Sequence, residues 1–124
     1  MNLRTFLIIN AVVALAYALG LILVPATMNA TYGLTASAGL QLTSRFFGVE
    51  LLTLGLLNWL AKDFTGANAR PLVLSGLVGN AVGAVAALTG TLGGVMNSFG
   101  WSAVLIYLIL ALGYAYFQFI GPTR

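Results

Sequence analysis

The chain has 124 residues, 60% of them hydrophobic and 6% charged, with five basic and two acidic side chains and a net charge of +3. An ordinary soluble domain is about a quarter charged, so these few charges cannot solvate the outside of a globule, and a soluble domain is excluded. Cysteine and histidine are both absent, which excludes thiol redox chemistry, disulfides, Cys/His zinc sites and His-ligated haem.

The first apolar run extends over residues 3–24, and Pro25 ends it. With Arg4 at its start it imitates a signal peptide. It is, however, longer than the about 7–15 residues of a cleavable apolar region, and no A-x-A site follows. It is expected to remain as a span. The uncharged segment after it, PATMNATYGLTASAG, reads as a surface loop with a short turn opened by Pro25. Asn29-Ala30-Thr31 within it matches a glycosylation sequon, a short pattern given little weight here.

The second span is expected over residues 43–61, with an earlier start at Ser37 if Thr35 serves as N-cap. A short polar connector, KDFTGANAR, leads to the third span at residues 71–90, where Pro71 suits a first helical position. A Gly-rich, uncharged link precedes the fourth span at residues 101–120. Each run has the length needed to cross about 30 Å of hydrocarbon, and none alternates as a membrane strand would. The expectation is an all-α integral membrane four-helix bundle forming one domain, 1–124.

Arg4, Lys62, Arg70 and Arg124 flank the N-terminus, the second loop and the C-terminus, whereas the first and third loops carry no Lys or Arg. By the positive-inside rule both termini face the cytoplasm. Arg45 is the exception, at the outer end of the second span, where it would snorkel to headgroups. An early start of that span would draw it deeper, toward Glu50 of another copy. Trp59 and Trp101 fit inner and outer aromatic belts.

Glu50 is the acid placed well inside an apolar run. An ionisable group there costs on the order of 3 kcal/mol unless partnered, so it is a candidate functional residue. At a rise of about 1.5 Å per residue, Tyr17, Glu50 and Tyr107 fall at one depth, and Asn10, Asn80 and Tyr114 at another. These polar faces are expected to point at one another inside the bundle, with a tyrosine hydroxyl satisfying Glu50. They read either as a polar pathway or pocket, or as interhelical hydrogen bonding. For Glu50 the plain alternative is a neutral carboxyl donating one structural hydrogen bond.

Small residues form the other pattern. Ser75, Gly79, Gly83 and Ala87 recur every four residues on the third span, and Gly48 and Gly55 share a face with Ser44 on the second. Such stripes let helix backbones approach closely. Catalytic patterns are missing: there is no phosphate loop, Glu50 within the second span is far from Asp63 in the connector that follows it, and Ser75 has no histidine base. No catalytic residue, no metal and no nucleic-acid partner is expected.

Several features together resemble small four-helix bacterial inner-membrane proteins, among them DoxX-like proteins and families of unknown function. They are the proline-ended first span (LGLILVPATM), Tyr32-Gly33, an aromatic-rich last span, and the R-x-x-G-x-x-L-L-x-x-G-L-L pattern from Arg45 to Leu57. The resemblance implies the architecture and a bacterial inner-membrane location, and transfers no substrate.

The sequence thus leads to a non-enzymatic accessory or self-assembling subunit in the lipid bilayer, a homo-oligomer or part of a larger membrane complex. Two alternatives stand beside it. One is a channel or transporter for a small solute or proton through Glu50 and the polar faces. The other is binding of a lipid, quinone or carotenoid.

Overall fold

The computed structural model describes residues 1–122, so Arg124 lies outside the described residues. Five α-helices follow in order: α1 (Leu3–Leu23), α2 (Pro25–Thr31), α3 (Ala38–Leu60), α4 (Arg70–Leu92) and α5 (Gly100–Phe119), with one 3-10 turn at Gly66–Asn68. No strand occurs among the described residues. Four of the helices are long and apolar enough to cross a membrane.

The caps explain the boundaries. Asn2 opens α1 by accepting a hydrogen bond from the Thr5 amide at 2.9 Å, satisfying an otherwise orphaned N–H. Pro25 cannot continue that helix and instead sits in the first turn of α2. The segment expected as a loop with a turn therefore carries a seven-residue helix. Ser37, not Thr35, caps α3: its backbone is extended and its hydroxyl accepts from the Leu40 amide at 3.1 Å. This starts α3 five residues before the main expectation at position 43.

The long helices form two close antiparallel pairs, α1 with α3 and α4 with α5, and α1 touches α5 between them. Within the first pair Gly48 lies against Ala18, Leu21 and Ile22, and Gly55 against Leu15 and Ala11. In the second, Gly76 lies beneath the Tyr114 ring and Gly83 beneath Tyr107. Glycine at these positions leaves room for the facing side chain or backbone, which any Cβ would crowd.

Within this chain the small-residue row on α4 does not lie on one packing face, and Ser75 and Gly79 meet no neighbouring helix. Both are exposed, and a Cβ added at Gly79 would meet nothing within 4 Å. Residues four apart advance about 40° around a helix, so the row from Ser75 to Ala87 turns through about 120°. Gly83 and Ala87 reach the interior, and Ser75 and Gly79 do not.

At the end of the bundle that carries the N-terminus, Leu3, Phe6 and Leu7 of α1 pack with Val73 of α4 and Leu110, Tyr114 and Phe117 of α5. Phe6 meets Tyr114 edge to face, ring centroids 4.8 Å apart, a favoured aromatic geometry. At the opposite end α2 is tied to the α4–α5 loop. The Asn97 amide donates to the Tyr32 carbonyl at 2.9 Å, and its side-chain amide donates to the Thr31 carbonyl at 3.2 Å. Gly33 beside this clasp has φ +76°, a conformation glycine adopts without steric cost.

Candidate functional site: a cavity between the helix pairs

The two helix pairs meet through α1 and α5 and part elsewhere. No Cα of α3 comes within 8 Å of one in α4, two helices that lie wholly among the described residues. The gap is a cavity of about 480 Å³ in the half of the bundle nearer α2, with walls from all five helices. Protein interiors ordinarily leave few voids larger than a water molecule. Here small side chains keep the space open: Ala14, Gly83, Ala86, Ala87 and Ala103 all line it.

Its walls are apolar apart from a few placed polar groups. Tyr17 of α1 and Tyr32 of α2 share a hydrogen bond of 3.0 Å, and either hydroxyl can be the donor. A phenol carries one proton, so one hydroxyl proton of the pair remains for a guest. Tyr107 of α5 lines the cavity and its hydroxyl makes no protein hydrogen bond among the described residues. Asn80 of α4 spends its amide N–H on the Gly76 carbonyl of its own helix at 2.8 Å, leaving Oδ1 as an acceptor. Deeper toward α2, Asn29 and Ser44 bond each other reciprocally at 2.9 and 3.1 Å. That pairing buries the sequon asparagine.

Below the cavity lies a closed polar junction. Tyr114 of α5, fully buried, donates to Asn58 Oδ1 on α3 at 2.7 Å and accepts from the Asn10 side-chain amide on α1. Asn58 in turn donates to the Leu54 carbonyl at 2.8 Å. With Gly76 of α4 beneath the Tyr114 ring, all four long helices converge on this one side chain. Asn10 also lines the cavity floor.

Of the residues expected to form two polar layers, the structure brings Asn10 and Tyr114 into direct contact and sets Tyr17, Asn80 and Tyr107 around one cavity. It does not give Glu50 a tyrosine partner. Tyr17 bonds Tyr32 instead, because α2 folds back over the bundle. Glu50 is exposed and lines a smaller cleft of about 210 Å³ between α3 and α4. Asn58, Asn29 and Tyr32 stand outside the two expected layers, yet each makes one of these polar contacts. A signal existed for Asn58: it follows Ser44 by fourteen residues, about four turns, which returns it to the face of Gly48 and Gly55.

The charged and aromatic anchors sit at the two ends. Arg4 Nε pairs with Asp63 Oδ1 at 2.7 Å, and Lys62 Nζ stands 3.7 Å from Oδ2. The Arg4 hydrogen bond is the main cause that holds the Asp63 carboxyl below the usual carboxylate range. Lys62 also lies over the Trp59 ring, 4.9 Å from its centroid. Arg70 opens α4 and Trp101 lies in the first turn of α5, both exposed. Arg45 is exposed too, with Nε 3.3 Å from the Ile22 carbonyl near the end of α1. That carbonyl belongs to the negative end of the α1 dipole, which favours a cation. No protein-family model, curated protein or solved structure matches this chain.

Proposed function

We propose that this protein is a multi-pass protein of the bacterial inner membrane, with both termini cytoplasmic, that binds a lipid-soluble amphiphile between its two helix pairs and carries out no chemistry on it. The cavity carries this reading. Its volume of about 480 Å³ falls within the about 300–1,000 Å³ of small-molecule sites, and its apolar walls with few placed polar groups match their usual make-up. The free hydroxyl proton of the Tyr17–Tyr32 pair, the Tyr107 hydroxyl and Asn80 Oδ1 offer two donors and an acceptor to a polar head. The remaining wall suits an apolar body.

Membrane residence is supported by the outward apolar side chains of every long helix, among them Val12, Phe46, Val82 and Ile109, each more than half exposed. In water such faces would drive association; in hydrocarbon they are at home. The cytoplasmic placement of the termini is supported by Arg4, Lys62 and Arg70 at one end. A subunit role in a larger assembly is compatible with a ligand held inside.

The test is binding in lipid nanodiscs of a neutral aromatic probe, triphenylphosphine oxide, measured against empty discs. Ala103→Phe fills the cavity from α5. The wild type is expected to bind the probe saturably, and Ala103→Phe to lose that binding with its helix content unchanged. Equal uptake by wild type, variant and empty discs would overturn the proposal.

A further inference from the structure

The smaller cleft adjoins the main cavity, and Phe47, Leu51, Leu54, Asn80 and Tyr107 line both. It opens sideways between α3 and α4, where Ser75 and Gly79 leave the mouth uncrowded. Glu50 stands at that mouth. Among the described residues Glu50 makes no salt bridge, whereas Arg4 and Lys62 surround Asp63 and Arg45 turns to the Ile22 carbonyl. Among the described residues, Tyr107 is the other titratable side chain lining this cleft.

We propose that the guest is a lipophilic cation, entering sideways from the bilayer between α3 and α4, with Glu50 supplying its countercharge at the mouth. This rests on the ligand-binding reading above and narrows it to one charge class. A carboxylate in an apolar setting is costly without a paired positive charge, and the protein offers Glu50 none among the described residues. A cation on a hydrophobic body supplies that charge and satisfies the apolar walls together. Phe47 and Tyr107 add aromatic faces, to which cations are attracted, and Asn80 Oδ1 adds an acceptor. An anion of the same shape would meet Glu50 with like charge.

The experiment compares tetraphenylphosphonium with tetraphenylborate, alike in shape and opposite in charge, and with neutral triphenylphosphine oxide, in nanodiscs corrected for empty discs. The wild type is expected to bind the phosphonium at least about tenfold more tightly than the neutral probe, the scale of one paired charge in a dry site. Glu50→Gln should remove that margin while leaving the neutral probe unaffected. Because Glu50 is exposed and makes no protein hydrogen bond among the described residues, the variant should fold as wild type, which its unchanged thermal midpoint would verify. Gly79→Phe, at the mouth, should slow phosphonium association. Phosphonium binding unchanged by Glu50→Gln, or tetraphenylborate bound equally well, would overturn the cation proposal. If the neutral probe still binds and is lost in Ala103→Phe, the cavity reading survives that outcome; if no probe binds the wild type above empty discs, both fall.

Discussion

The phenol of Tyr114 on α5 donates a 2.7 Å hydrogen bond to Asn58 Oδ1 on α3, joining two helices whose Cα atoms nowhere approach within 8 Å of each other. A long side chain from one helix pair thus bridges to the other where the backbones stand apart. The same hydroxyl accepts from Asn10 on α1, so one oxygen ties three helices together directly beneath the cavity.

Tyr114→Phe keeps the ring over Gly76 and removes this oxygen. Asn58 Oδ1 and the Asn10 amide are then buried without their partner, and an orphaned buried polar group costs about 1–3 kcal/mol. The expected result is a loss of about 2 kcal/mol in unfolding free energy, read from denaturant titration in mixed micelles. Tyr17→Phe, whose half-buried hydroxyl faces the cavity, should cost about 1 kcal/mol or less. Equal effects from the two variants would show that the junction does not join the helix pairs.

The glycines should separate by position rather than by motif. A Cβ at Gly48 would lie 2.8 Å from Ile22 Cγ1 and 3.1 Å from the Ala18 carbonyl oxygen, so Gly48→Ala must push α1 and α3 apart. Such overpacking costs about 1–3 kcal/mol. At Gly79 a Cβ meets nothing within 4 Å, and Gly79→Ala should be neutral or stabilising by up to about 1 kcal/mol from helix propensity. Thermal midpoints of the two variants in one detergent test the contrast. A destabilising Gly79→Ala would place another helix or subunit on that face.

The Arg4–Asp63 pair predicts a weak acid sensitivity. The Asp63 carboxyl is depressed in the folded state, chiefly by the Arg4 hydrogen bond. Its stabilising contribution is therefore present above the ordinary carboxylate pKa of about 3.9 and is lost as the pH falls through the depressed folded value. Both side chains are more than half exposed, and solvent and salt screen such pairs strongly. Asp63→Asn should leave the thermal midpoint at neutral pH nearly unchanged and flatten its decline in acid. A large loss at neutral pH would contradict the exposed geometry.

At the opposite end, the clasp between α2 and the α4–α5 loop depends on Gly33. An alanine there would hold φ +76° at a cost of about 1 kcal/mol, and its Cβ would lie 3.0 Å from Asn97 Cβ. Gly33→Ala and Asn97→Ala should each loosen α2, seen as faster hydrogen exchange at Asn97, Tyr32 and Leu34 in the first variant and at Tyr32 and Leu34 in the second. Exchange unchanged in both would mean that α2 is held by Asn29 and Ser44 alone.

Much of the fold was legible in the chain because its causes are local. Apolar runs of hydrocarbon-crossing length, Pro25 and Pro71 at helix starts, and uncharged Gly-rich links fix where the helices lie without reference to any neighbour. Counting depth also placed Asn10 level with Tyr114, since helix rise is the same wherever the helix packs. The capping of α3 by Ser37 was missed because Thr35 and Ser37 are both competent caps, and only the extended backbone at Ser37 selects between them.

What the sequence could not decide is which faces meet. Apolar residues run all round these helices, so hydrophobicity marks no inner side, and neither the surroundings of Glu50 nor the α4 residues that face a neighbour within the chain follow from it. Tertiary structure alone turned Glu50 to the cleft, folded α2 back so that Tyr32 takes Tyr17, and brought Asn58 to Tyr114. It also set the helix pairs far enough apart to leave a cavity between them. Residue types, helix lengths and charge are properties of the chain, whereas the space between helices depends on which side chains interlock across them, and no single segment contains that information.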